Sequence, residues 1–502
     1  LGRASFKPKG KLFSFLARAT SGEREEIERE LPFAVMIFTL MAASGVSLYD
    51  GWKRIRKLSF LPKFRREAEE VTRQVEVLGK DPLTVMHGRA ESTNSKLYRN
   101  FLGGFISSTK SGGKIVDYMR SELKSIFELR SIAMNRSIEK IATLVEAYAV
   151  MLIVTLCTYI LFVVFSSSNM MELLTQTSIP NSPVMAYLIA FLFMPIISFA
   201  FILVAHNMQR SSFPHLKDVY KRALIVMIAV GAPLSLILLM PSLSFLTDAV
   251  GLAELVTACL VAMSVPIAVQ YHKIAKVNYN AEDAIPNFIR DVTESQKIGL
   301  SPEKSIIQAT MRKDYGHFSQ LLGLIRSQIE WGIPLRKTFG NFKQRIRSWF
   351  ALVNFAMMVE TIEIGGNPTQ ALEILSEYSE KEREVQINRR ALLRPYIILS
   401  FVWSVLIAVT TTIVALTTGL MTSLMSSSLS PVIVASMGSQ MTVFSVGIIL
   451  QCWISGFFIG KISEGNLAAG FKYSAMLAVT AYASLVLSRN FLAGAFGINA
   501  AT

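Results

Sequence analysis

The sequence predicts an all-α fold: a polytopic membrane protein with about seven transmembrane helices and two repeated cytoplasmic helical bundles. Three observations carry this expectation. Hydrophobic residues make up 51% of the 502 and charged residues only 17%, which is too apolar for a soluble chain of this length. The apolar residues gather in blocks of about 20, the length that crosses a bilayer. Two stretches of the chain also repeat one another. Leu31–Pro32 is followed by Gly45–Val46–Ser47, and Ile285–Pro286 is followed at the same spacing by Gly299–Leu300–Ser301; farther on, Gly112–Gly113 corresponds to Gly365–Gly366. A long-period repeat of this kind marks a duplicated structural unit.

In chain order the expected parts are a charged, basic segment 1–30, a first module 31–140, a membrane block 141–272 of four helices, a second module 273–392 and a membrane block 393–502 of three helices. Segment 1–30 has no apolar run followed by a small-residue cleavage site, so the first span itself is expected to direct insertion. The segment Leu31 to Val46 is nearly uncharged, but it is short for a crossing. Its counterpart 285–300 carries Arg290, Asp291, Glu294 and Lys297, so it reads as a buried or membrane-apposed helix of the first module.

The seven spans are expected near 145–165, 183–205, 223–246, 252–271, 395–421, 441–460 and 471–488. Arg210, Lys217, Lys221 and Arg222 fall between spans two and three and Lys461 between six and seven, whereas 166–182, 247–251 and 422–440 hold no Lys or Arg. Positively charged loops stay on the cytoplasmic side, so the amino terminus and both modules are expected inside and the carboxyl terminus outside, in the plasma membrane. Pro195, Pro233, Pro241 and Pro266 predict kinked spans.

Within the second module, Ser301–Pro302–Glu303 supplies an N-cap, a proline at the first helical position and a first-turn acid. Gly332 and Pro334 stop one helix and start the next, and Phe318, Leu321, Leu322, Ile325 and Ile329 recur at helical spacing. Each module therefore reads as five or six helices. Gly45, Ser47, Gly112, Gly113, Gly299, Ser301, Pro302, Gly365 and Gly366 are read as structural, glycine for helix ends and serine for caps. The final helix of each module is expected to run on into the membrane.

No catalytic constellation is legible. Ser111–Gly–Gly–Lys114 and Gly456–Phe–Phe–Ile–Gly–Lys461 lack the spacing and the Ser or Thr of a phosphate-binding loop. The five histidines are scattered without the spacing of metal ligands, and no nucleophile elbow occurs. No cofactor or metal is therefore expected. Cys157, Cys259 and Cys452 lie in spans and behave as small apolar residues. Intramembrane charge is scarce, which argues against an ion-coupled transporter. Gln451 reads as an interhelical hydrogen-bonding residue, and Gly456 with Gly460 as a GxxxG packing pair within the chain or between two copies in a homodimer.

The chain carries a net charge of +15, and residues 1–140 hold 26 Lys and Arg against 16 acids. The positive-inside bias and attraction to anionic lipid account for this excess. Nucleic-acid binding finds no aromatic and basic motif to support it.

A helical module with an early Gly–x–Ser turn and a late Gly–Gly helix start, ending in membrane spans and then repeated, resembles the type II secretion system F family. These are the inner-membrane platform proteins of type IV pilus and type II secretion machines. The resemblance is clearest across Ile285–Ser301 and Met358–Tyr378. Ile364–Gly–Gly–Asn367 and Ser111–Gly–Gly–Lys114 lack the acid that bacterial members commonly carry in the late motif, and the four-plus-three span layout looks like that of the archaeal adhesion-pilus and archaellum members. The resemblance implies a non-enzymatic platform on which a cytoplasmic hexameric ATPase docks and from which prepilin or archaellin subunits enter a filament. Candidate ATPase contacts are Arg336, Lys337, Lys343, Arg345 and Arg347, with Arg54, Arg56, Lys57, Lys63, Arg65 and Arg66 in the first module; a plain solvated or lipid-facing surface is the alternative reading of each run. A permease or channel with regulatory cytoplasmic domains is the alternative function, and a membrane-bound sensor or enzyme a third.

Overall fold

The computed structural model describes residues 10–58, 60–167, 188–209, 217–239, 251–312, 315–364, 368–425 and 431–496. The described residues form sixteen α-helices, a π-turn at Ile189–Phe193 and a 3-10 turn at Gly316–Phe318. The first copy of the repeat contains α1 (Gly10–Ala43), α2 (Leu48–Ile55), α3 (Pro62–Glu76), α4 (Pro82–Ser92), α5 (Lys96–Lys110) and α6 (Ile115–Ser167). After α7 (Met194–Met208) and α8 (Lys217–Leu239), the second copy repeats the same order: α9 (Leu252–Lys297), α10 (Pro302–Thr310), α11 (Ser319–Glu330), α12 (Leu335–Arg345), α13 (Trp349–Ile364) and α14 (Pro368–Met425). The chain continues through α15 (Pro431–Glu464) and α16 (Leu467–Phe496).

The chain divides into two compact units. One joins residues 1–134 with 277–386, and the other joins 135–276 with 387–502. Helices α6, α9 and α14 each contribute a part to both units.

In the first unit both copies share one hydrophobic core, so they are halves of a single body. Trp52, Phe64, Tyr98 and Phe101 come from the first copy and Phe288, Phe342 and Phe355 from the second, all buried. Phe33 meets Trp349 edge-on at 4.6 Å, and Phe127 stacks on Tyr378 at 4.7 Å. Every residue from Glu30 to Met41 is buried; the nearly uncharged stretch of α1 belongs to this core.

Equivalent local devices hold each copy together. Ser47 caps α2 by accepting from the Asp50 amide, and Ser301 caps α10 by accepting from the Lys304 amide. Ser95 caps α5 and donates its hydroxyl to Glu28 at 3.1 Å, while Ser348 accepts from the Ala351 amide and donates to Glu282 at 2.6 Å. Thr39 donates to the carbonyl oxygen of Val35 and Thr293 to that of Ile289, four residues back in each helix. Such bonds satisfy buried polar atoms that would otherwise cost about 1–3 kcal/mol each.

Among the described residues six helical segments have the length and apolar content to cross a bilayer: Ile115–Thr158, Phe191–Met208, Leu252–Lys297, Pro368–Thr417, Phe444–Glu464 and Leu467–Phe491. The third expected span, 223–246, is helical within α8 as far as Leu239; residues 240–246 lie outside the described residues. Helices α15 and α16 pack backbone to backbone. A Cβ placed on Gly456 would lie 2.3 Å from the Ser474 backbone, and one on Gly460 equally close to Gly470. Gln451 donates to Ser198 at 2.6 Å, and the Tyr148 hydroxyl bridges Ser198 and Ser455 at 3.0 and 2.7 Å. These hydrogen bonds join three helices where lipid offers no partner.

Candidate docking surface

The two basic runs are separated by about 280 residues in sequence, yet the fold brings them to one carboxylate. Glu360 on α13 is buried, with 7% of its surface exposed. Arg336 on α12 donates to its Oε1 at 2.7 Å, and Arg54 on α2 of the other copy lies 3.3 Å from its Oε2. Arg336 also reaches Glu363 at 3.6 Å. Hydrogen bonding to Glu360 is the main cause that raises the Arg336 pKa above its usual value. At the start of the same helix, the Trp349 indole N–H donates to the carbonyl oxygen of Phe60 at 3.3 Å, which sets the α2–α3 connection against the start of α13. On a separate contact between copies, Arg130 reaches Glu382 at 3.0 Å and lies over the Phe33 ring.

Local sequence explains how the cations are presented. Helix α12 buries Leu335, Thr338 and Phe342, at the three- and four-residue spacing of one helical face. Arg336, Lys337, Lys343 and Arg345 are left exposed. Arg347 begins the turn into α13, where its amide donates to Asn278 at 2.7 Å. In the first copy several cations meet neighbouring acids: Arg56 lies 3.5 Å from Glu76, Lys63 3.1 Å from Glu26 and Arg65 3.0 Å from Glu69. Lys57, Arg66, Lys337 and Arg345 are exposed and make no ion pair among the described residues.

The glycines and caps named from the sequence act at helix ends. Gly45, Gly112 and Gly299 have φ of 76°, 68° and 93°, the left-handed region that ends a helix. Gly113 lies against the Ser108 side chain. Gly365 and Gly366 lie outside the described residues. Sequence reading did not align a further glycine pair, Gly79 with φ 62° and Gly332 with φ 73°. Both end the third helix of their copy, and the spacing of 34 and 33 residues from Gly45 and Gly299 is the signal that identifies them.

Among the described residues no group of three or more His, Cys, Asp or Glu is arranged to hold a metal ion.

Comparison with known proteins agrees with this duplicated architecture. The profile of the family described as "Type II secretion system (T2SS), protein F" matches residues 34–163 and again 288–416. The uncharacterized protein MJ1286 of Methanocaldococcus jannaschii is 20% identical over 482 residues, spanning 91% of this chain and 79% of that protein. No solved structure matches. Two family matches, each running from a repeat into its following span, place the chain in the type II secretion system protein F family, as a multi-pass, non-enzymatic membrane platform protein of type II secretion and type IV pilus-like machinery.

Proposed function

We propose that this chain is the plasma-membrane platform of an archaeal pilus or archaellum, on which a cytoplasmic hexameric ATPase docks to drive pilin subunits from the membrane into a filament. The observation that carries the reading is the pairing of the two repeats in one basic unit from which α6, α9 and α14 continue into apolar segments. Continuous helices offer a path by which force on the paired repeats reaches the membrane. The match with a Methanocaldococcus jannaschii protein along 91% of the chain supports the archaeal layout. The distribution of Lys and Arg supports an orientation with both repeats and the amino terminus in the cytoplasm and the carboxyl terminus outside. In this reading the first block has four spans and the second three, Gly456, Gly460 and Gln451 pack the membrane block, anionic lipid meets part of the basic surface, and two copies can pair to match the symmetry of a hexameric motor.

Deletion of the gene tests the proposal: surface filaments are lost and return on complementation with the full chain. Unchanged filaments in the deletion strain would refute it. The permease reading draws little support from the membrane block. A small cleft of about 40 Å³ there is lined by uncharged residues, including Tyr148, Trp403, Gln451 and Cys452, whereas an ion path by default contains ionisable groups.

A further inference from the structure

The repeats share their caps, turns and core devices, but not their charges. The paired caps Ser47/Ser301 and Ser95/Ser348 set the register between copies. In that register Arg54, Arg56 and Lys57 correspond to Gln308, Thr310 and Met311, while Arg336, Lys337 and Arg345 correspond to Leu83, Thr84 and Ser92. Each basic run therefore exists in one copy only. The acid that joins them is equally one-sided, since Glu360 corresponds to Ser107. Because Arg54 and Arg336 share the Glu360 carboxylate, the two runs are neighbours on one surface.

We infer that the paired repeats present one composite docking face for the acidic surface of a soluble protein, so that each chain holds one partner subunit and not two. The charge balance supports an acidic partner. Residues 48–76 contain eight Lys and Arg against five acids, and residues 335–347 contain five against none. Lys57, Arg66, Lys337 and Arg345 are left for a partner's carboxylates. Glu76, Glu360 and Glu363 stand among the cations, and this mixed pattern fits a protein surface with matched charges better than a uniformly negative lipid surface. Trp331, 83% exposed and four residues before α12, adds an apolar side chain of the type that anchors protein interfaces. The inference rests on the platform reading only for the choice of partner.

The test uses the full chain in phosphatidylcholine nanodiscs and the purified secretion-type hexameric ATPase of the same organism as probe. Wild type is expected to show one class of binding to the hexamer. The pairs Lys57→Glu with Arg66→Glu, and Lys337→Glu with Arg345→Glu, are each expected to weaken that whole class by about tenfold or more, while Lys110→Glu, outside both runs, leaves it unchanged. Two binding classes, each removed by one pair, would overturn the single face, and so would wild-type affinity in both pairs. Failure of the wild-type chain to bind the ATPase would overturn the platform reading and this choice of partner together. If the same wild-type nanodiscs then bind phosphatidylglycerol liposomes and both pairs abolish it, the face is a lipid surface and the inferred protein partner is wrong.

Discussion

Replacing Glu360 by alanine removes the one carboxylate that joins Arg54 of the first copy to Arg336 of the second. The two arginines differ in what they lose. The Arg336 side chain is 52% exposed, so water replaces its partner and the loss is about 0.5–1 kcal/mol. The Arg54 side chain is 26% exposed, and stranding a partly buried cation costs about 2 kcal/mol, less than the roughly 3–5 kcal/mol of a fully buried one. Together Glu360→Ala is expected to destabilise the contact between copies by about 2–3 kcal/mol. Glu360→Gln, which keeps the volume and one acceptor, is expected to cost about half as much. Native-state hydrogen exchange on the full chain reads this locally, as a roughly 30- to 150-fold faster exchange of amides in α2, a helix that lies about 300 residues away in sequence. An Arg54→Ala, Glu360→Ala double-mutant cycle should give a coupling of about 1 kcal/mol. Unchanged exchange in α2 with a coupling near zero would refute the view that this carboxylate holds the two copies together.

Glu30 supplies a pH test. Its Oε2 accepts from the Lys63 and Phe64 amides at 2.9 and 3.1 Å, but burial outweighs those bonds and raises its pKa. A carboxyl raised in the folded state favours folding as pH falls, so Glu30→Gln should stabilise the α1–α3 contact near pH 7, with the advantage shrinking as pH drops through the raised pKa; hydrogen exchange of 63–71 measures it. Gly460→Ala should lower the melting temperature of the purified protein, because its Cβ would lie 2.3 Å from Gly470 and only backbone displacement costing about 1–3 kcal/mol relieves that. Gly332→Ala meets no atom within 4 Å but sits at φ 73°, so it should cost about 1–2 kcal/mol from backbone strain alone, read as faster exchange at the α11–α12 turn.

Much of the fold was legible locally. Ser47 and Ser301 announce helix starts through their own side chains, and Gly45 and Gly299 announce the preceding helix ends. The repeat also bears on the apolar part of α1: its counterpart carries charges, and residues 30–41 are buried in the shared core. Gly332 announces a helix end, but its correspondence with Gly79 is hidden because the following proline shifts by one position, at Pro82 in one copy and Pro334 in the other. The meeting of Arg54 and Arg336 at Glu360 could not be read from the sequence at all. It depends on how two distant segments pack, and each run by itself looks like an ordinary solvated face. The same holds for the Glu28–Ser95 and Glu282–Ser348 pairs, which are 67 and 66 residues apart.

The central claim is that the paired repeats act on a motor, and the rate of ATP hydrolysis tests it most directly. Added in increasing amounts in nanodiscs, the full chain should change the turnover of the purified secretion ATPase saturably, and the chain carrying Lys57→Glu and Lys337→Glu should require at least about tenfold more protein for the same effect. A turnover that stays constant at saturating wild-type chain would contradict the account.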